Sequence, residues 1–184
     1  GRDGPPRVIM VLPLRSGLDP QPFLSAIHAA ATRASTTRNN PVEDCFTAVF
    51  ENLKARWHVT CCHSWAEPME FLKCAATADV IVPLIAAEEG CEEVVDEDGL
   101  RALALLRAQG MPAVVAALYN LQSISPKHGA ELKRKASRFV NDEFGEHAKL
   151  VPCTVTTCTA TIMEDGDGSG GGGVRAGKDS NLNR

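Results

Sequence analysis

The chain has 184 residues and a formal net charge of −4 at pH 7, with 44% hydrophobic and 23% charged residues. This length suits one domain with a tail and is too short for two full domains. The composition is that of a globular protein, and its acidic balance excludes a strongly basic nucleic-acid module, although one face could still be basic. No apolar run approaches the roughly 20 residues of a membrane span.

Cysteine usage and the two ends of the chain indicate its compartment and boundaries. Seven cysteines, with no disulfide-like spacing and no secretory signal, favour a reducing cytosolic or nuclear compartment. From Met163 the sequence becomes glycine-rich and loses apolar periodicity. We therefore expect a domain over residues 1–162 and a disordered, flexible linker or tail over residues 163–184. Because the chain starts at Gly1 without an initiator Met, we also expect it to be a piece of a longer protein.

Strand patterns recur along the first 162 residues. Continuous apolar runs predict buried strands, and two runs rich in aromatic and β-branched residues, joined by a short polar bridge, predict a hairpin. The predicted strands are residues 8–12, the hairpin arms 45–50 and 57–61, and residues 80–85, 113–118 and 149–155. Residues 35–41 predict a loop.

Four helices are predicted between these strands from apolar residues at helical spacing. The first starts after Asp19, an N-cap candidate that is followed by Pro20. The other three cover residues 67–77, residues 100–109, and the longest stretch from Pro126 to Gly145. In the third helix we expect Leu100, Leu103 and Leu106 to face inward.

The order of these elements predicts the fold class. It runs strand, helix, hairpin, and then helix and strand three times. Apolar strands that alternate with helices indicate a mostly parallel sheet with helices on both faces, and the hairpin adds an antiparallel edge. We therefore predict an α/β fold of the P-loop GTPase type.

The residues that bind a nucleotide in such a fold are missing at three places. Residues 12–19 have one Gly and no Lys, where a phosphate-binding loop needs Gly-x-x-x-x-Gly-Lys-Ser/Thr. Residues 119–123 lack the acid of Asn-Lys-x-Asp, and residues 62–65 lack Asp-x-x-Gly. If Asp19 caps the first helix, its carboxylate also occupies the place of a phosphate. We therefore predict no nucleotide-binding residue, no catalytic residue and no cofactor.

Several stretches resemble the GTPase-like domain of the eukaryotic pre-rRNA-processing and 20S rRNA accumulation protein family, assembly factors of the small ribosomal subunit. The most specific is residues 105–112, Leu-Leu-Arg-Ala-Gln-Gly-Met-Pro. The others are residues 1–6, 75–81, 133–139 and 148–150. One type in this family keeps an intact P-loop and the other has lost it, and this chain resembles the second.

The resemblance implies a pseudo-GTPase that is not an enzyme. Such a domain binds precursor small (40S) subunits as a mimic of a translational GTPase, supports rRNA maturation and hinders premature joining of the large subunit or of initiation factors. The expected partners are the rRNA and ribosomal proteins of that particle and other assembly factors, with no membrane and no small-molecule substrate. The expected location is the nucleolus, the nucleus and the cytoplasm. Family members continue into β-barrel domains, and we expect none within these 184 residues.

Two other functions stay open. One is an active GTPase with degenerate nucleotide-binding loops that acts in ribosome assembly. The other is an unrelated Rossmann-like enzyme, which no Gly-x-Gly-x-x-Gly supports.

Candidate contact residues lie on the longest helix and in one loop. Opposite the apolar face of that helix are the candidates for contact with rRNA phosphates: Lys127, Lys133, Arg134, Lys135 and Arg138. An ordinary solvated helix face is the alternative, because four acids lie nearby. Trp65 stands where a switch loop would be and is a candidate anchor for a partner.

Two further features favour a structural interpretation. Residues 86–98 contain seven acids, which could repel RNA or dock a basic protein, but a solvated loop followed by helix N-terminal acids is favoured. Cys61, Cys62 and His63 lack the paired cysteines of a zinc site. We therefore predict no metal site, and structural thiols.

Overall fold

The structure is a computed structural model, and it describes residues 4–36, 45–62, 67–88, 90 and 93–153. The predicted tail and Trp65 lie outside these ranges. The strands are β1 Arg7–Pro13, β2 Arg33–Thr36, β3 Cys45–Phe50, β4 Ala55–Cys61, β5 Val80–Ala86, β6 Ala113–Tyr119 and β7 Lys149–Cys153. The α-helices are α1 Gln21–Ala30, α2 Pro68–Thr77, α3 Glu97–Gln109 and α4 Pro126–Phe144, and a short 3₁₀ helix covers Leu121–Ser123.

The strands form one sheet in the order β2-β3-β4-β1-β5-β6-β7. Strand β3 is antiparallel to β2 and β4, and the other neighbours are parallel. The predicted mostly parallel sheet with an antiparallel edge hairpin is thus confirmed. Because β1 lies between β4 and β5, the topology switches at its carboxyl end, which is where ligands bind in open α/β sheets.

The edge strand β2 corrects the sequence prediction. Ser35 and Thr36 were expected in a loop, but they belong to this strand, which pairs with β3 from Arg33↔Val49 to Thr36↔Phe46. A four-residue polar edge strand has no apolar run to reveal it. Its backbone pairing with β3 forms it instead.

Helices cover both faces of the sheet, as predicted. On one face, Phe23 and Leu24 of α1 pack with Phe46 of β3 in a buried cluster. On the other face, α2, α3 and α4 pack around a second buried cluster that includes Met10 and Leu118. None of the helices in the described ranges is long and apolar enough to cross a membrane.

The orientation of α3 differs from the prediction at one residue. Leu103 and Leu106 are buried as expected, but Leu100 is 48% exposed. The small residues Gly99 and Ala102 take the inward positions instead. Small side chains bring the start of α3 close to the sheet and turn Leu100 outward.

Candidate functional site

The loop after β1, residues 14–20, takes the place of a phosphate-binding loop at the carboxyl edge of the sheet. The Ser16 N–H donates to Asp96 Oδ2 at 2.6 Å, and the Ser16 hydroxyl donates to the same oxygen at 2.9 Å. Asp96 is the N-cap of α3, and its Oδ1 accepts the Gly99 N–H at 2.8 Å. One carboxylate therefore joins the loop after β1 to the first turn of α3.

Helix α3 lies directly against this loop. The Asp96 N–H donates to the Leu14 carbonyl at 3.2 Å. Gly99 passes so close that a Cβ atom there would lie 2.2 Å from the Leu14 carbonyl oxygen. Only glycine permits this approach, so the position of α3 depends on the lack of a side chain at Gly99.

The protonation state of Asp96 in this bridge follows from its pKa. Burial acts to raise the pKa of Asp96, but the hydrogen bonds from Ser16 and Gly99 and the charge of Arg15 together hold that pKa below its ordinary value. The carboxylate is therefore ionised at neutral pH. Loop N–H groups and helix N-termini are the groups that bind phosphate, and here a carboxylate of the chain itself accepts one N–H of the loop, from Ser16, and one of α3, from Gly99.

Arg15 is the only cation in the sequence of this loop, and it contacts acceptors of the protein. Its Nη2 lies 2.9 Å from Glu88 Oε2 and 3.5 Å from the Ala86 carbonyl oxygen. Its side chain is only 11% exposed. Arg15 thus does not replace the missing P-loop Lys, whose role is to reach the outer phosphates.

The predicted N-cap of α1 is wrong by one residue, because Pro20 is the N-cap and Asp19 precedes it. Asp19 Oδ1 accepts the Gln21 N–H at 2.9 Å, so its carboxylate does occupy one N–H of this helix end. Its backbone carbonyl accepts the Tyr119 hydroxyl at 2.7 Å. Burial, with the charges of Glu88 and Asp19, raises the pKa of Tyr119 to about 12.

The loop after β6 uses its polar groups to bind the loop after β5. Asn120, with φ 66°, donates from Nδ2 to the Ala87 carbonyl at 3.2 Å. Ser123 stands where Asn-Lys-x-Asp would place its Asp, and its hydroxyl donates to the Asn120 carbonyl at 2.7 Å. The Ala87 N–H in turn donates to the Tyr119 carbonyl at 2.9 Å. No carboxylate in this loop is available to pair with a guanine base.

The structure places the predicted rRNA-contact residues along α4: Lys127, Lys133, Arg134, Lys135 and Arg138. At 3.6 residues per turn, Lys127, Arg134 and Arg138 follow one line opposite the buried face, and we call them the basic stripe. The other two lie on its flanks, and Lys135 pairs with Glu131 at 3.5 Å. Among the described residues, no ion pair involves any member of the basic stripe.

The end of the acidic stretch, residues 86–98, supplies the helix N-terminal acids that were predicted. Asp96 caps α3, and Glu97 and Asp98 lie in the first turn of that helix, where negative charge is favourable. Glu88, at the start of the stretch, pairs with Arg15. The sequence did not indicate that Asp96 also reaches the loop after β1.

The thiols and aromatic residues near β4 have structural contacts. Cys61 is buried below α1, and Cys62 packs partly buried against the core on the other face. Trp57 is half-buried against Phe50, with ring centroids 4.4 Å apart. Within the described ranges, no group of three potential metal ligands occurs.

This sheet order, with the loop after β1 at the switch point of the sheet, defines a GTPase-like fold. The chain matches the family "Tsr1, G-like domain" over residues 7–163 and belongs to that family. The resemblance seen in the sequence is thus confirmed.

Curated relatives agree with this family. A pre-rRNA-processing protein TSR1 homolog from Mus musculus is 29% identical over 154 residues, and the Homo sapiens homolog is 28% identical over the same length. Each match covers 82% of this chain and 18% of the relative. The chain therefore spans less than a fifth of the length of these proteins.

A solved structure supports the fold alone. Translation elongation factor SelB from Methanococcus maripaludis, in complex with the GTP analogue GppNHp, matches with a TM-score of 0.56 at 9% identity. The match covers 82% of this chain and 30% of that chain.

Proposed function

We propose that this chain is a non-catalytic GTPase-like domain of a pre-rRNA-processing factor, and that it binds precursor small ribosomal subunits. The observation that carries the proposal is the Asp96 carboxylate, bonded to Ser16 in the loop where a GTPase holds phosphate. Membership of the Tsr1 G-like family supports the setting in ribosome biogenesis. On this proposal the domain acts in the nucleolus, the nucleus and the cytoplasm, where small subunits mature.

Charge argues against GTP in this site. A triphosphate would meet the carboxylates of Asp96, Asp19 and Glu88 at this edge of the sheet, while Arg15 is already paired with Glu88. Two like unit charges 4 Å apart repel by about 4 kcal/mol at an effective dielectric constant near 20. One such repulsion between a carboxylate and a phosphate lowers the affinity for GTP by roughly a thousandfold.

The same contacts support a mechanism based on shape. In GTPases, switch segments are ordered by the γ-phosphate and released on hydrolysis. Here Asp96 links the loop after β1 to α3, and Asn120 links the loops after β5 and β6. Since these links are parts of the chain, they do not leave after a reaction. The domain then acts by occupying space on the particle, and in this way it hinders premature joining of the large subunit or of initiation factors.

The basic stripe supports contact with rRNA. Along the axis of α4, Lys127 and Arg134 are separated by about 10 Å, and Arg134 and Arg138 by about 6 Å. These three cations point away from the core and are exposed. Each phosphate they neutralise releases counterions, so binding should weaken steeply with salt.

Co-sedimentation with precursor small subunits over a range of salt concentrations tests the proposal. The variant Lys127→Glu/Arg134→Glu/Arg138→Glu should bind weakly, and the slope of log affinity against log salt should become shallower by about 1 per residue. The matched control is Lys133→Glu/Arg134→Glu/Lys135→Glu, which has the same charge change on the same helix but removes one stripe residue. Its slope should change by about 1.

The outcomes separate surface geometry from net charge. A larger loss in the first variant supports the stripe, and an equal loss in both variants shows that only net charge matters. Unchanged binding of the first variant contradicts the rRNA contact, and no binding by the unmodified chain contradicts the proposed function.

A further inference from the structure

Cys45, Thr47 and His58 form a polar cluster on the hairpin of β3 and β4. Cys45 Sγ lies 3.3 Å from His58 Nε2, and Thr47 Oγ1 lies 3.1 Å from His58 Nδ1. Thr47 and His58 are direct partners in the antiparallel ladder, and Cys45 is two residues along the same face. All three residues are only partly buried, so each keeps some exposed surface.

The cluster lies on the face of the hairpin that α1 does not cover. The alternate residues Phe46 and Ala48 are buried on the α1 side. Because side chains alternate across a strand, Cys45 and Thr47 point to the opposite face. The cluster is therefore separate from the loops at the carboxyl edge and from the basic stripe.

The arrangement is that of an activated thiol. A cysteine becomes a strong nucleophile when a base within hydrogen-bond reach is itself oriented by a third group. If the Thr47 hydroxyl accepts a hydrogen bond from Nδ1–H of His58, the unprotonated Nε2 faces the Cys45 thiol. Transfer of the thiol proton to Nε2 then gives a thiolate beside an imidazolium.

We propose that Cys45 is a redox modification site, which peroxides oxidise to a sulfenic acid. The Cys45 thiolate attacks one oxygen of hydrogen peroxide, an S–O bond forms, and the O–O bond breaks. Sulfur is oxidised by two electrons and the peroxide is reduced. The leaving hydroxide takes the proton from His58 Nε2 and departs as water, so the imidazole returns to its neutral form.

Cys153 provides an internal comparison. It is also partly buried, but its Sγ contacts the Val151 carbonyl at 3.6 Å. Burial raises the pKa of the Cys153 thiol, which disfavours its thiolate. A difference between the oxidation rates of Cys45 and Cys153 therefore combines the effect of the imidazole with the raised pKa of Cys153, and a His58→Gln variant isolates the effect of the imidazole.

The test uses the full chain with hydrogen peroxide at neutral pH and dimedone to trap the sulfenic acid, with mass spectrometry of each cysteine peptide. An unperturbed thiol is about 3% thiolate at pH 7, so an ion-paired Cys45 should be labelled at least roughly tenfold faster than Cys153. In urea the two rates should become similar. His58→Gln should lower the Cys45 rate to near that of Cys153, and Thr47→Val should lower it by a smaller factor.

Similar rates for Cys45 and Cys153 in the folded chain would overturn the proposal, as would an unchanged Cys45 rate in a folded His58→Gln variant. Circular dichroism establishes whether each variant folds. If His58→Gln does not fold, the rate of Cys45 oxidation in the folded chain is compared with its rate in urea and with its rate in Thr47→Val. A folded rate no higher than the rate in urea would overturn the proposal.

Discussion

Asp96 and Ser16, 80 residues apart in the sequence, meet through two hydrogen bonds to a single carboxylate oxygen. The bridge joins the first turn of α3 to the loop at the switch point of the sheet. In a nucleotide-binding protein, such N–H groups face a phosphate that is exchanged. Here a carboxylate of the chain itself accepts the Ser16 N–H, so the chain's own groups tie the loop after β1 to α3.

Removal of this carboxylate should destabilise the fold. Asp96→Ala leaves the N–H groups of Ser16 and Gly99 without their acceptor, and we expect a loss of about 1–3 kcal/mol in the free energy of unfolding. Urea denaturation measures it. Asp98→Ala is the control, because Asp98 pairs with Arg101 at the exposed surface and should cost less than about 1 kcal/mol. Equal losses in the two variants would contradict a special role of Asp96.

Stability should fall in acid, partly through Asp96. Since its pKa is lower in the folded chain than its ordinary value, its contribution is complete above the unfolded pKa of about 3.9 and is lost as pH falls through the folded pKa. Asp79 acts in the same direction. The hydrogen bond from the Val8 N–H lowers the pKa of Asp79, burial opposes this, and Arg7 lowers it further. Urea midpoints between neutral pH and about pH 3 should fall less steeply for Asp96→Asn. If the urea midpoint of Asp96→Asn falls with acid as steeply as that of the unmodified chain, the role of Asp96 is contradicted.

The sequence predicted β1, β5 and β6 because their carboxyl-terminal halves are buried on both faces and appear as continuous apolar runs. It predicted β3 and β4 from their aromatic and β-branched residues. It missed β2 because a short polar edge strand depends on its partner β3. It misplaced Leu100 because Gly99 and Ala102 carry no strong apolar signal, although they form the inward face of α3.

The absence of the nucleotide-binding motifs was predictable from the sequence. A P-loop requires particular residues at fixed spacing, so their absence can be read directly from the sequence. The Asp96–Ser16 bridge was not predictable, because only the fold brings these residues together. The pairing of Lys135 with Glu131 could have been inferred from their spacing of four residues on a helix.

A GTP titration discriminates between the proposed function and an active GTPase. With labelled GTP and magnesium, we expect no saturable binding in the micromolar range, because three carboxylates line the site and the P-loop Lys is missing. Asp96→Ala should not restore binding, since the guanine-reading Asp is also absent. Micromolar affinity in the unmodified chain would favour the active GTPase.

Tyr119 gives a direct probe of the contact between β6 and the loop after β1, because it is the single tyrosine of the chain. Ultraviolet absorbance should show its phenol titrating near the folded pKa of about 12, against about 10 in urea. A raised pKa contributes stability below the unfolded pKa, and this contribution is lost as pH rises from about 10 to 12. Tyr119→Phe should lack this alkaline loss. Titration of the folded chain near 10 would contradict the burial of this hydroxyl against Asp19.

Two glycine substitutions should have opposite effects on the free energy of unfolding. Replacing a helical Gly by Ala usually stabilises by about 1 kcal/mol, and at Gly129 in α4 the nearest atom to a new Cβ is 3.8 Å away. Gly129→Ala should therefore stabilise. At Gly99 the same atom would lie 2.2 Å from the Leu14 carbonyl oxygen, so α3 must withdraw from the loop. Gly99→Ala should destabilise by about 1–3 kcal/mol.

Urea denaturation of both variants measures the difference, and Asp96→Ala/Gly99→Ala tests its cause. If withdrawal of α3 breaks the Asp96–Ser16 bridge, the two losses should overlap, and the double variant should be less destabilised than the sum of the single variants. Additive losses would show that Asp96 and Gly99 stabilise the loop independently. A Gly99→Ala variant as stable as Gly129→Ala would show that close approach of α3 is not what fixes the loop after β1.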